Sequence, residues 1–266
     1  VTENYSVTIT DGNGCTDTDD VIIWFYTNPT VDLGPDTSTC DGNIITLNAG
    51  AGYTTYLWSD STTNQTLNIT LAGNYSVTIT DGNGCADRDS IDITIHSNPV
   101  VDLGADQEGC DGDIITLDAG VSFTTYQWSD SSTNQTLDVT ATGNYSVTIT
   151  DGNGCTDRDS VNVTINTNPV VDLGADQEGC DGDIITLDAG VGFTTYQWSD
   201  SSTNQTLDVT ATGNYSVTIT DGNGCTDRDS VNVTINANPV VDLGPDISAC
   251  DGDIVTLDAG ADYNYL

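Results

Sequence analysis

On either side of the turn at 151–154, residues 145–150 and 161–165 alternate strictly between apolar and polar. Tyr145, Val147 and Ile149 fall on one side, and Ser146, Thr148 and Thr150 on the other. Val161, Val163 and Ile165 alternate with Asn162 and Thr164, and Ile115, Leu117 and Ala119 with Thr116 and Asp118. A period of two with one apolar side predicts half-buried β-strands, and no stretch carries helical spacing. One stretch, Asn98-Pro99 to Asn166, therefore predicts strands at Val100–Leu103, Ile114–Ala119, Tyr126–Trp128, Thr136–Thr140, Tyr145–Thr150 and Val161–Ile165. The loop 104–113, the turn-rich stretch 129–134 and a DGNG turn separate them. Six or seven short strands, with a turn signal every 8–12 residues, predict an all-β fold of the sandwich kind. Trp128 would fill the space between the sheets, and Tyr145, after Gly143-Asn144, stands where a tyrosine corner opens a strand.

The pattern recurs every 70 residues. GNYSVTITDGNGC stands at Gly73, Gly143 and Gly213, and ENYSVTITDGNGC at Glu3. Residues 97–166 and 167–236 differ only at Ser97/Thr167 and Ser122/Gly192. The expected organisation is three Ig-like repeats, 27–96, 97–166 and 167–236, arranged head to tail as a rod. Residues 1–26 read as the last strands of a preceding repeat, and 237–266 as the first strands of a following one. Linkers such as 165–169 are short and contain Pro, which fixes φ, so a stiff array is expected. Near-identical copies make length rather than one unique site.

Charge narrows the partners. The formal charge is −38, from 41 acids and 3 bases. All the acids are Asp except Glu3, Glu108 and Glu178, and Asp favours turns. The bases are Arg88, Arg158 and Arg228, with no Lys. Such a chain repels nucleic acid and anionic membrane surfaces and attracts cations. The absence of Lys excludes Lys–Asn isopeptide bonds and leaves trypsin few places to cut. No apolar run of membrane length is present. His96 is the only His, and its counterparts are Asn166 and Asn236, so no Ser–His–Asp set recurs and no enzyme is expected.

Eight cysteines fall two per repeat, which reads as disulfides in an oxidising compartment. Two distant Cys per repeat and one His in the chain do not make a regular zinc site. The pairing follows from strand direction. In an Ig-like sandwich Cys110, just before the second strand, lies at one end of its repeat, and Cys155, in the last hairpin turn, at the other. Strands of six or seven residues would part them by about 20–25 Å, whereas bridged Cα atoms lie about 4.4–6.8 Å apart. Head-to-tail stacking instead brings Cys40 to Cys155 and Cys110 to Cys225. Cys15, Cys85, Cys180 and Cys250 then take partners outside this stretch. A different strand order would return the pairing to within each repeat.

Three further groups of residues are candidates for chemistry. The turn 151–159 spaces oxygen ligands at every second residue, as calcium loops do, though it lacks the sixth-position Gly and closing Glu of an EF-hand. Stacking would gather Asp106, Glu108, Asp111 and Asp113 with Asp221, Asn223, Asp227 and Asp229, so Ca²⁺ is an expected ligand although no cofactor is required. The plain alternative is a hairpin turn. Ile22, Trp24 and Tyr26 replace Asp92, Thr94 and His96 and make the stretch 21–26 apolar on both faces, which suggests contact with another chain or domain. Tyr126 and Trp128 could form a sugar platform, although core packing is the ordinary use of such residues.

The segments VDLGADQEGCDGDIITLDAG, YQWSDSSTNQTL and GNYSVTITDGNGC followed by DSV resemble the Ig-like repeats of giant surface adhesins of Bacteroidota, and the resemblance covers essentially the whole chain. WSDSS departs from the W-x-F-G-D/N-G element of the related PKD domains, so the Ig-like assignment is preferred. The resemblance implies secretion to the cell surface, a role in adhesion or gliding, and partners that are copies of the chain, neighbouring domains or surface glycans. It also implies O-glycosylation at Ser90, Ser160 and Ser230 in their Asp-Ser-aliphatic contexts. The expected function is the structural shaft of an extracellular fibre; the alternatives are a self-assembling filament and a carbohydrate-binding array.

Overall fold

A computed structural model describes residues 1–259. The chain starts with an antiparallel hairpin, β1 (Thr2–Thr10) and β2 (Thr16–Trp24). The repeat 27–96 holds β3 (Thr37–Cys40), β4 (Ile45–Asn48), β5 (Thr55–Trp58), β6 (Thr66–Ile69), β7 (Gly73–Thr80) and β8 (Ala86–His96). The same six elements recur as β9 (Gln107–Cys110), β10 (Ile115–Asp118), β11 (Thr125–Trp128), β12 (Thr136–Val139), β13 (Gly143–Thr150) and β14 (Thr156–Asn166). A third set is β15 (Gln177–Cys180), β16 (Ile185–Asp188), β17 (Thr195–Trp198), β18 (Thr206–Val209), β19 (Gly213–Thr220) and β20 (Thr226–Asn236).

Each set forms a four-stranded and a two-stranded sheet. In the first repeat the order is β3-β8-β7-β5 beside β4-β6, and in the third β15-β20-β19-β17 beside β16-β18. In every repeat the first strand runs parallel to the last, β3 to β8, β9 to β14 and β15 to β20, while β5-β7, β7-β8 and β4-β6 pair antiparallel. The protein is thus all-β, a tandem array of Ig-like β-sandwiches. By internal contacts it divides into two compact units. One takes Val1–Ala105, Thr116–Val139 and Asn144–Asn162; the other takes Asp106–Ile115, Thr140–Gly143 and the chain from Val163.

Alternation places the core. In the first repeat Leu47, Trp58, Leu67, Ile69, Val77, Ile79, Ile91 and Ile93 form one buried cluster, and the third repeat buries their counterparts. Trp58 is buried between the sheets and donates its indole N–H to the Asn64 carbonyl at 2.8 Å, so its one polar atom is satisfied. The Tyr75 hydroxyl donates to the Leu71 carbonyl and Tyr215 to Ala211, each four residues back and 2.9 Å away, which ties down the entry to β7 and β19.

Three local features differ from the sequence expectation. The segment 100–103 forms no regular strand. Its N–H groups are taken by side chains: Val101 donates to Asp157 at 2.9 Å and Leu103 to Asp159 at 2.7 Å. Val31 and Leu33 are held by Asp87 and Asp89, and Val171 and Leu173 by Asp227 and Asp229. Carboxylates at alternate positions of the last strand thus replace a backbone ladder. Second, the expected loop 104–113 contains β9. Its residues QEGC show no alternation, because the strand is held by parallel pairing to the end of β14, Val163↔Gln107 to Asn166↔Cys110. Third, Ser146 is buried rather than solvent-facing; Arg158 lies over it and donates from Nη2 to its hydroxyl at 2.9 Å.

Candidate functional site: two cystine junctions

The feature with chemistry of its own is a pair of cross-repeat disulfides. Cys40 is joined to Cys155 with Cα atoms 5.6 Å apart, and Cys110 to Cys225 at 5.5 Å. Each bridge spans 115 residues and links a repeat to the one after it.

The turns around these cysteines explain their placement. Cys155 closes the turn DGNGC. The Asp151 carboxylate accepts N–H groups from Asn153 at 2.9 Å and Cys155 at 2.8 Å, while Asp151 N–H donates to the Cys155 carbonyl. Gly154 has φ of 83°, a left-handed conformation open to glycine at little cost. Burial pulls the Asp151 carboxyl pKa up, but the two N–H donors outweigh it and hold the group below its ordinary value. Cys225 is set the same way by Asp221, and both half-cystines are fully buried. On the other side, Cys110 ends β9 and opens the turn 110–113, where its N–H donates to Asp113 at 2.8 Å and its carbonyl accepts from Asp113 N–H.

The linker is fastened beside each bridge. At the first junction Asp41 N–H donates to the His96 carbonyl at 2.8 Å, and the Asn98 side chain donates to the Asp41 carbonyl at 3.2 Å. At the second, Asp111 N–H donates to the Asn166 carbonyl and the Asn168 side chain to the Asp111 carbonyl, at 2.8 and 3.0 Å. The Asn of each Asn-Pro linker therefore locks onto the turn that carries the preceding half-cystine. Sequence reasoning missed this role of Asn98 and Asn168; the recurring Asn-Pro next to a Cys-Asp-Gly turn was the available signal.

The remaining candidates fall elsewhere. Cys15, Cys180 and Cys250 are exposed and Cys85 half-buried, each as a free thiol among the described residues. Several of the acidic residues read as calcium ligands also make hydrogen bonds within the fold. Asp227 and Asp229 hold backbone N–H groups of Val171 and Leu173, Asp221 caps the turn that contains Asn223, Asp113 accepts from Cys110, and the Asp111 backbone meets Asn168. Asp106 lies just before β9 and Glu108 within it. Among the described residues no three His, Cys, Asp or Glu side chains group as metal ligands. Trp128, offered as a sugar platform, is buried, and the Tyr126 hydroxyl donates to the Gly120 carbonyl at 2.9 Å. Ile22, Trp24 and Tyr26 are exposed, Trp24 by 62%. Ser90, Ser160 and Ser230 are exposed on β8, β14 and β20; Ser90 N–H donates to Asp89 and Ser230 N–H to Asp229. No helix among the described residues is long and apolar enough to cross a membrane.

A scan of protein-family models and a search of curated protein sequences find no match. Solved structures similar to this chain include the N-terminal eight Ig domains of Down syndrome cell adhesion molecule, at 15% identity and a TM-score of 0.43. That match covers 89% of this chain, which spans 40% of that protein's. A three-domain I-band fragment of titin matches at 14% identity and TM-score 0.42, over 81% of this chain and all of the fragment. Sidekick-1 immunoglobulin domains 1–5 match at 14% and 0.32, over 88% of this chain and 66% of theirs.

Proposed function

We propose that the chain is a stretch of the shaft of an extracellular fibre or adhesin, in which tandem Ig-like repeats are stiffened at their junctions. The domains are the repeats 27–96, 97–166 and 167–236. The observation that carries this reading is the pair of bridges that each tie one repeat to the next, beside a linker already fastened by Asn98 or Asn168. A bridge within a repeat stabilises only that repeat, whereas a bridge across a linker also restrains bending. Cystines persist in oxidising compartments, which supports an extracellular setting. The charge of −38 keeps such an array soluble and free of nucleic acid. Calcium at the junction carboxylates is a separate expectation: melting lowered by EDTA would support it, and unchanged melting would sink it.

Small-angle scattering of the whole chain, oxidised and then reduced, tests the proposal. The oxidised chain should scatter as an elongated, stiff particle, and reduction should broaden its distance distribution as the junctions loosen. A compact profile, or one indifferent to reduction, would sink the shaft reading.

One observation favours a second reading, lateral assembly: Trp24 replaces the polar residues of the complete repeats and stands exposed. Light scattering that rises with concentration and is abolished by Trp24→Thr would support it. Flat scattering in both proteins would end it.

A further inference from the structure

The two bridges overlap along the chain. One closes 40–155 and the other 110–225, so each loop contains one half-cystine of the other. Three backbone segments therefore connect the first cystine to the second: 40–110, 110–155 and 155–225. We propose that this interlacing makes residues 40–225 covalently redundant, so that the chain stays continuous after proteolytic nicking. Hydrolysis of a peptide bond consumes one water and leaves both disulfides intact. A cut in any one segment leaves two, and cuts in two different segments leave one. Severing the chain requires a cut in all three.

Bridges within each repeat would behave differently, since each linker would then be a single thread and one cut at 165–169 would part the chain. The placement of the basic residues fits the interlaced design. Arg88 lies in 40–110 and Arg158 in 155–225, both exposed, whereas 110–155 contains no Arg or Lys. A trypsin-like protease that cut every site between the cystines would still leave 110–155 holding the ends together. The inference draws its use from the shaft reading, because a long exposed fibre gains from surviving a nick. Its chemistry stands on the bridge connectivity alone.

Digestion of the whole oxidised chain tests it. The thiols of Cys15, Cys85, Cys180 and Cys250 are capped with iodoacetamide to stop exchange. The chain is then unfolded without reductant and cut fully with trypsin. Without reductant, 1–88, 89–158 and 159–228 should migrate as one covalent species, with 229–266 released. Reductant should split that species into its three pieces. Three separate pieces before reduction would overturn the proposal. As a second arm, Cys110→Ser should release 159–228 while 1–88 and 89–158 stay joined; retention of 159–228 would equally overturn it. A chain that passes both arms yet scatters as a compact particle would keep the redundancy and lose the shaft.

Discussion

The hairpin β1–β2 and the hairpin β7–β8 are built from nearly the same residues, NYSVTITDGNGC in each case, and they pair in the same register. Thr8 faces Thr18 in one, and Thr78 faces Arg88 in the other. Their surroundings differ. Val7 and Ile9 are exposed by 61% and 66%, while Val77 and Ile79 are exposed by 0%. Strand pairing and turn geometry are thus local properties of this sequence. Burial of β7–β8 comes from the two-stranded sheet and the latched segment that share its repeat. One sequence in two settings separates what a turn supplies from what a core supplies, and the same turn at 151–155 adds the bridge that both of these hairpins lack.

The largest contrast is expected at the half-cystines. Cys155 and Cys15 occupy the same position of the same turn, but only Cys155 is bridged. Closing a loop of this length stabilises by about 4–5 kcal/mol in the chain-entropy model. Thermal or denaturant unfolding of Cys155→Ser should show a loss of that order, and Cys15→Ser no measurable change. Equal effects would mean that the turn, rather than the bridge, carries the stability.

Next comes the core. Ile79→Ala should cost about 2–5 kcal/mol, because it leaves a cavity beside Trp58 in a packed cluster. Ile9→Ala should stay within about 0.5 kcal/mol, as surface changes do. Calorimetry of the two variants measures the difference. Similar costs would show that the hairpin face is covered in solution.

The two regions also explain what could be read without coordinates. Alternation gave the buried strands, because Val77, Ile79, Ile91 and Ile93 lie at a period of two on one face. Strand direction gave the end of the repeat that each cysteine occupies. The latch was hidden, because Asp87 and Asp89 look like solvated charge on a strand edge, yet their oxygens serve the N–H groups of Val31 and Leu33. The strand β3 was hidden for a related reason. Its parallel pairing to β8 uses backbone groups, which leave no mark on side-chain pattern. Ser146 was misplaced because burial under Arg158 depends on a neighbour across the strand pair.

A smaller contrast concerns the tyrosines. The Tyr75 hydroxyl is bonded to the Leu71 carbonyl, whereas the Tyr5 hydroxyl donates to the Glu3 carboxylate, which raises its pKa. Tyr75→Phe should cost about 1 kcal/mol, the usual net worth of one such bond, and Tyr5→Phe nothing measurable. Chemical denaturation of the two variants decides it, and an equal cost would deny the corner any special role.

The smallest expected difference lies in acid, where the hairpins should behave alike. N–H groups of Cys15 and Asn13 hold the Asp11 carboxyl below its ordinary value. In Asp81, burial pulls the pKa up, but the N–H groups of Cys85 and Asn83 prevail and the net direction is also down. A carboxyl whose pKa is lower folded than unfolded stabilises the fold above the unfolded value, about 3.9. That contribution fades as pH falls through the folded value. Melting should therefore hold steady near neutrality and decline below about pH 4, with a shallower decline in Asp81→Asn. Carboxyl NMR titration should find Asp11 and Asp81 both depressed, since each turn supplies its own donors. A normal Asp11 beside a depressed Asp81 would reverse the inference, because the turn would then need the core to form its hydrogen bonds.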